Sequence, residues 1–321
     1  FACGGFCIQF GCDWVAFLYA SIAAILGMRL RQVCNESGLN HYMGIAISAF
    51  VATIIAWAST LLPAEWTSTP WHPLLACALF IVPGVPLINF VDDMLDNYIQ
   101  VGIVRAVNTL LMVAAMAFGI AFAVKLCHIE NFFPTISMVP HHQYWEYAIA
   151  AAISAMGFSM IFNIQRRLLW VVAIGGIIAV CTRNFVNLGP STDNIGLDMG
   201  LVIGSFSGAV LVSLIAIKAV HWFHVPNHVL TIPSVIPMIP GVLMYRMLFG
   251  IININVQSID QVTPLMKAIE SGVNSGLVIM CIALGVAIPN IFGRRFIASS
   301  KNKRLAELLK ERKARGKFVE W

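Results

Sequence analysis

Val82-Pro83-Gly84-Val85 interrupts one apolar run of the chain, and Ile239-Pro240-Gly241-Val242 interrupts another 157 residues later (240 − 83). Proline inside a helix removes a backbone hydrogen bond and crowds the preceding turn, while glycine adds backbone freedom, so each pair predicts a broken or kinked helix. One short match alone is weak. Two further pairings fall in step with it: Gly38-Leu39 precedes Gly196-Leu197 by 158 residues (196 − 38), and Pro73 and Pro226 stand at comparable points ahead of the two breaks. The chain reads as two related halves.

The surroundings of those breaks set the class. Of 321 residues, 59% are hydrophobic and 11% charged, against roughly 25% charged in an ordinary soluble domain. A spanning helix needs about 20 mainly apolar residues. Such runs recur near Trp14 to Leu30, Tyr42 to Leu62, Pro73 to Asn89, Val101 to Leu126, Trp145 to Asn163, Leu168 to Val186, Leu197 to Trp222, Ile232 to Ile252 and Gly272 to Phe292. The apolar stretch Phe1 to Cys12 is too short to cross and reads as a truncated first helix. The expected fold class is therefore an all-α polytopic membrane protein of about ten transmembrane helices. Residues 1–127 form a first module, 128–144 an external connector, 145–293 a second module and 294–321 a basic cytoplasmic tail. Five helices is an odd number, so tandem five-helix repeats enter the membrane in opposite directions, as the inverted repeats of many transporters do.

Charge gives the orientation. The excess of +5 is concentrated in the tail Lys301 to Lys317, and positive charge near span ends is retained inside. Counting back, the inner connections hold Arg29, Arg31, Arg105, Arg166, Arg167 and Lys218, and the outer ones Lys125, Arg183 and Lys267. This basicity reports topology and lipid headgroups, not a nucleic-acid partner. The eight cysteines lie within or beside apolar runs and read as small buried hydrophobes, without metal-ligand spacing. His141 and His142 in the connector, and His221, His224 and His228 together, likewise match no metal pattern. A phosphate-binding Gly-Lys-Ser/Thr loop is missing, as is any recognisable nucleophile arrangement, so neither an enzyme nor a cofactor is expected.

The candidate site follows from the breaks. Freed backbone groups in a membrane must be met by protein, water or ligand, and paired interruptions in two halves point to a central binding site. The break residues are Pro83, Gly84 and Pro86 in the first half and Pro237, Pro240 and Gly241 in the second, with Pro233 nearby. Close packing of small residues is the competing explanation. Beyond the first break come Asn89, Asp92, Asp93 and Asp96, then Arg105. A carboxylate partly withdrawn from water has a raised pKa suited to proton coupling, which makes Asp92 and Asp93 candidates; a water-exposed acidic loop would explain them equally. Beyond the second break come Tyr245 and Arg246, with Arg246 opposite Asn89 at the same offset. Such an arginine could clamp a substrate carboxylate, anchor a helix end at the headgroups, or pair with Asp92 or Asp93.

At these two breaks the chain resembles the threonine/serine exporter family. The stretch Ile81-Val82-Pro83-Gly84-Val85-Pro86-Leu87-Ile88-Asn89, with Asp92, Gly102 and Arg105, looks like the end of that family's first membrane module. Gly157-Phe158, Phe162-Asn163, Arg166-Arg167, Pro233 through Gly241 and Tyr245-Arg246 look like its second. The resemblance implies a secondary active exporter of threonine and serine, driven by the proton gradient in a bacterial cytoplasmic membrane. Small dicarboxylates such as succinate and a channel-like pore are the alternatives. Its partners would be membrane lipid, a small-molecule substrate and protons, with a homo-oligomer left open. Family members usually carry a hydrophilic segment and a complete first helix upstream of where this sequence begins.

Overall fold

Asp13 turns the first apolar run into a long helix. Its carboxylate accepts hydrogen bonds from the Ala16 amide at 2.7 Å, the Ser68 amide at 2.7 Å and the Thr67 hydroxyl at 2.8 Å. The first bond caps the helix that follows; the other two tie the loop ahead of the first break to the same point. In the computed structural model, residues 1–63, 65–129, 143–190, 195–223, 225–252 and 262–314 are described. They form helices and turns, with no strand among the described residues.

The first module contains α1 (Ala2–Gln9), α2 (Trp14–Glu36), α3 (His41–Trp57), a short α4 (His72–Ala76) continued by a 3-10 turn Leu79–Ile81, α5 (Gly84–Leu95) and α6 (Ile99–Leu126). The second contains α7 (Tyr144–Ile161), α8 (Leu169–Asn187), α9 (Leu201–Phe223), α10 (Asn227–Val235) continued by a 3-10 turn Ile236–Met238, α11 (Gly241–Ile252) and α12 (Val262–Ala314). The same order of elements recurs. In both modules the fourth member is bent, by 56° where α5 begins and by 61° where α11 begins.

Among the described residues, six helices are long and apolar enough to cross a membrane, and up to eight spans result if each bent pair counts as one. The sequence expectation of about ten is not confirmed by this count, and two elements account for the difference. α1 has 8 residues, and the 18-residue α7 opens on Tyr144, Trp145, Glu146 and Tyr147, which dilute its apolar character. Boundaries also move at the breaks. The run expected from Pro73 to Asn89 is two segments, and its second half continues to Leu95, so Asp92 and Asp93 lie on a helix. α12 runs unbroken from Val262 to Ala314, carrying the backbone of the basic segment with it.

The interior mixes large apolar side chains such as Ile45 and Leu74 with many small and hydroxyl ones, while the exterior too carries large apolar ones. Ser48, Ser154, Ser159, Ser205 and Ser213 are wholly buried, while Leu110, Phe118 and Phe122 of α6 are more than half exposed. This arrangement is what lipid demands, because packing and interhelical hydrogen bonds replace the aqueous hydrophobic drive between helices. α1 lies against α7, where a Cβ on Gly5 would sit 2.3 Å from Ser154 Oγ and one on Gly157 would sit 2.7 Å from Ala2 Cβ. The Ser154 hydroxyl donates to the Ala2 carbonyl at 3.1 Å across this contact. The bent pairs join the modules as well: α5 packs on α6 and α12, and α11 packs on α12 and α6.

Candidate functional site at the paired helix breaks

The two Pro-Gly breaks meet. A Cβ on Gly84 would lie 2.7 Å from Ile239 Cδ1 and 3.6 Å from Ile236 Cγ1; a Cβ on Gly241 would lie 2.7 Å from Leu79 Cδ2 and 3.2 Å from Val82 Cγ2. Each glycine thus receives the two apolar side chains that precede the other break. The backbone repeats too. The Gly84 amide donates to the Val82 carbonyl at 2.8 Å and the Gly241 amide to the Ile239 carbonyl at 2.9 Å. Between the breaks is a narrow void of about 10 Å³, room for about one water, lined by Phe6, Leu79, Val82, Gly84, Phe158, Ile236, Ile239 and Gly241. Phe6 and Phe158 close it edge to face, with ring centroids 5.6 Å apart.

Every side chain on that void is apolar, so polar recognition there falls to backbone. α5 and α11 both begin at the void, and the first amides of a helix lack intrahelical acceptors and carry the positive end of its dipole. α5 starts at Pro83 without a side-chain cap. Pro86 in its first turn lacks an N–H, which leaves fewer amides on this side than on the other. Pro237 belongs to the 3-10 turn that narrows α10 before the second break.

The polar candidates lie farther along the two half-helices. Asn89, Asp92 and Asp93 are half-buried on α5. Arg105 of α6 reaches back to Asp93, Nη1 to Oδ2 at 2.5 Å, with side chains 35% and 23% exposed. This ion pair joins α5 to α6 and gives Asp93 a partner other than Arg246. Arg105 also borders a shallow groove with Gln100, Val104 and Asn108, and Asn108 accepts a 2.7 Å bond from the Tyr42 hydroxyl. Arg246 is half-buried on α11. The side chain of Tyr245, together with His141, His142 and His224, falls outside the described residues.

Two family models tile this architecture: a threonine/serine exporter model (ThrE) matches residues 1–127, and the model "Threonine/Serine exporter, ThrE" matches residues 147–292. The chain belongs to the threonine/serine exporter family. It is also similar to the protein named "Probable succinate transporter subunit YjjP" of Klebsiella aerogenes, 31% identical over 125 residues, which are 39% of this chain and 48% of the relative. The protein of the same name in Escherichia coli strain K12 is 30% identical over 125 residues, again 39% and 48%. The chain thus spans about half the length of the curated relatives it matches. No solved structure matches.

In this exporter-family chain, the side chains that line the meeting of the breaks escaped the sequence reading. The signal was present, because Leu79 and Ile236 are 157 residues apart (236 − 79), as are Val82 and Ile239 (239 − 82). Phe6 and Phe158 were harder to pair. Their separation is 152 (158 − 6), as is that of Gly11 and Asn163, two residues with positive φ of 86° and 55° that end α1 and α7 alike. The spacing between the halves changes between the first helix and the break, so a fixed offset misses the aromatic pair.

Proposed function

We propose that this chain is a secondary active exporter of small hydroxyl amino acids, threonine and serine, working by proton-coupled antiport. On this reading its modules are inverted five-element repeats and its substrate passes where the breaks meet. The observation that supports it most is the reciprocal seating of Gly84 against Ile236 and Ile239, and of Gly241 against Leu79 and Val82. The contacts are reciprocal, as a two-fold relation between the repeats requires, and the odd element count is what makes that relation an inverted one. Broken helices at a repeat interface are where alternating-access transporters place substrate and coupling ion, and an amino-acid carboxylate suits the positive half-helix starts.

Asp92, half-buried on α5, serves as the proton-handling carboxylate, and Arg246 on α11 as a contact for the substrate's negative end. Asp93 with Arg105 positions α5. The protein resides in a bacterial cytoplasmic membrane with its C-terminal segment inside, as the arginine and lysine bias favours. Small dicarboxylates are the second reading, favoured by the name of the two relatives. Purified protein in liposomes, given an inside-to-outside pH gradient and labelled threonine, serine or succinate, tests both. Uphill, saturable exchange is expected, with a pH profile displaced in Asp92→Asn and weaker apparent affinity in Arg246→Ala. Flux that never runs uphill would make the chain a channel, and no flux of any of the three solutes would end the exporter reading.

A further inference from the structure

Arg183 is a charged residue that this mechanism leaves unused, and it lies within the apolar span Arg166–Asn187. It is half-buried, and its guanidinium turns inward: Nε and Nη2 donate to Asn184 Oδ1 at 3.1 and 3.0 Å, and Nη2 reaches Gln9 Oε1 at 3.4 Å. Asn184 is 4% exposed and Gln9 8%. Among the described residues these bonds go to two amide oxygens and to no carboxylate. A half-buried guanidinium in the last turn of an apolar span, without a counter-charge, is costly, and such residues are candidates for substrate or ion paths. The cluster holds a second irregularity. Gln9 Nε2 is enclosed and has no hydrogen-bond partner among the described residues, although buried amide donors are almost always satisfied.

We propose that Arg183 and Gln9, braced by Asn184, form an approach subsite that holds the carboxylate of the transported solute before it passes to the breaks and Arg246, with Gln9 about one helical turn from Phe6 of the central void. One carboxylate oxygen would accept from the guanidinium and the other from Gln9 Nε2, which supplies both the missing counter-charge and the missing acceptor. The location follows from two independent paths. Gln9 ends α1 three residues after Phe6, which lines the void. Arg183 lies four residues after Ala179, whose carbonyl oxygen would be 2.6 Å from a Cβ on Gly208, itself 2.9 Å from Met238 Sδ at the second break. One turn of helix is about 5.4 Å, within the length of a threonine or succinate molecule. A headgroup anchor would point its guanidinium outward; this one binds an enclosed glutamine on the helix that joins the modules.

The subsite rests on the exporter reading, and binding and transport separate the two. Thermal stabilisation of the full chain in detergent is measured with threonine, succinate and threoninamide, beside liposome exchange of the first two. Wild type is expected to be stabilised by a carboxylate probe and not by threoninamide. Arg183→Gln should weaken that binding about tenfold to hundredfold, the scale of a lost charged hydrogen bond, and Arg183→Lys should recover part of it. Gln9→Leu removes an unsatisfied amide nitrogen together with the Oε1 that accepts from Arg183, so the ligand-free protein should be about as stable as wild type while its response to carboxylate falls. Equal binding by wild type and by Gln9→Leu and Arg183→Lys, or no binding to wild type, overturns the subsite, and the first two variants decide it even where Arg183→Gln does not fold. Binding that depends on Arg183 without exchange would keep the subsite and discard the exporter.

Discussion

Two carboxylates in the first module do different structural work, and their surroundings say how much. Asp93 and Arg105 face each other across α5 and α6 but remain 23% and 35% exposed; if that exposure is to water at the inner end of α6, the contribution of the pair should be that of a surface bridge, about 0.2–1 kcal/mol. Asp93→Asn should therefore lower the unfolding midpoint in detergent only slightly; a much larger drop would show the pair to be shielded by lipid or by a neighbouring copy. Asp13 is held differently. Partial burial pushes its carboxyl up, and the bonds from Ala16, Thr67 and Ser68 outweigh that and leave its pKa lowered. With the folded pKa below the unfolded value of about 3.9, its stabilisation is complete above that value and is lost as pH falls through the folded pKa. Asp13→Ala should cost about 0.5–2 kcal/mol at neutral pH and flatten that acid-side decline. An unchanged decline in the variant would place its origin in other groups. None of this was legible beforehand, because Thr67 and Ser68 are 54 and 55 residues from Asp13.

At the scale of elements, glycine serves two purposes that one substitution can tell apart. Gly119 lets α6 approach α3: a Cβ there would lie 2.2 Å from the Ala46 carbonyl oxygen. Backbone cannot swing aside, so Gly119→Ala must part the helices and is expected to cost about 1–3 kcal/mol. Gly84 faces the far end of the Ile239 side chain at 2.7 Å, which can rotate. Gly84→Ala should fold almost as wild type, whereas Gly84→Leu should fold and transport poorly, because it fills the void at the breaks. Comparable thermal losses in Gly119→Ala and Gly84→Ala would remove this distinction. The breaks were legible from Pro-Gly alone because backbone chemistry is local. Span ends were less so: α5 continues to Leu95 past Asp92 and Asp93, where rising polarity in the sequence looks like a loop although the helical hydrogen bonds persist.

At the scale of the molecule, composition disclosed the membrane and the repeat disclosed two modules, but not which faces meet. That Gly84 rests on Ile239 depends on α1 and the two bent pairs packing together, a long-range result no periodicity contains. Arg183 shows the same limit. Its place in an outer connection says nothing of where its guanidinium points, and its bond to Gln9, 174 residues away, is what shows it turned inward. If the meeting of the breaks is the moving part, fixing it should stop exchange without unfolding the protein. A Cβ on Gly241 would lie 3.2 and 3.7 Å from the two Val82 methyl carbons, close enough for cysteines at both positions to reach disulfide geometry. In a background with the native cysteines replaced, Val82→Cys with Gly241→Cys should exchange solute when reduced, lose exchange on oxidation and regain it with dithiothreitol. Each single variant should ignore the oxidant. Full exchange by the oxidised pair, with the cross-link verified by mass, would mean that solute crosses while the two breaks stay fixed, and would move the pathway away from them.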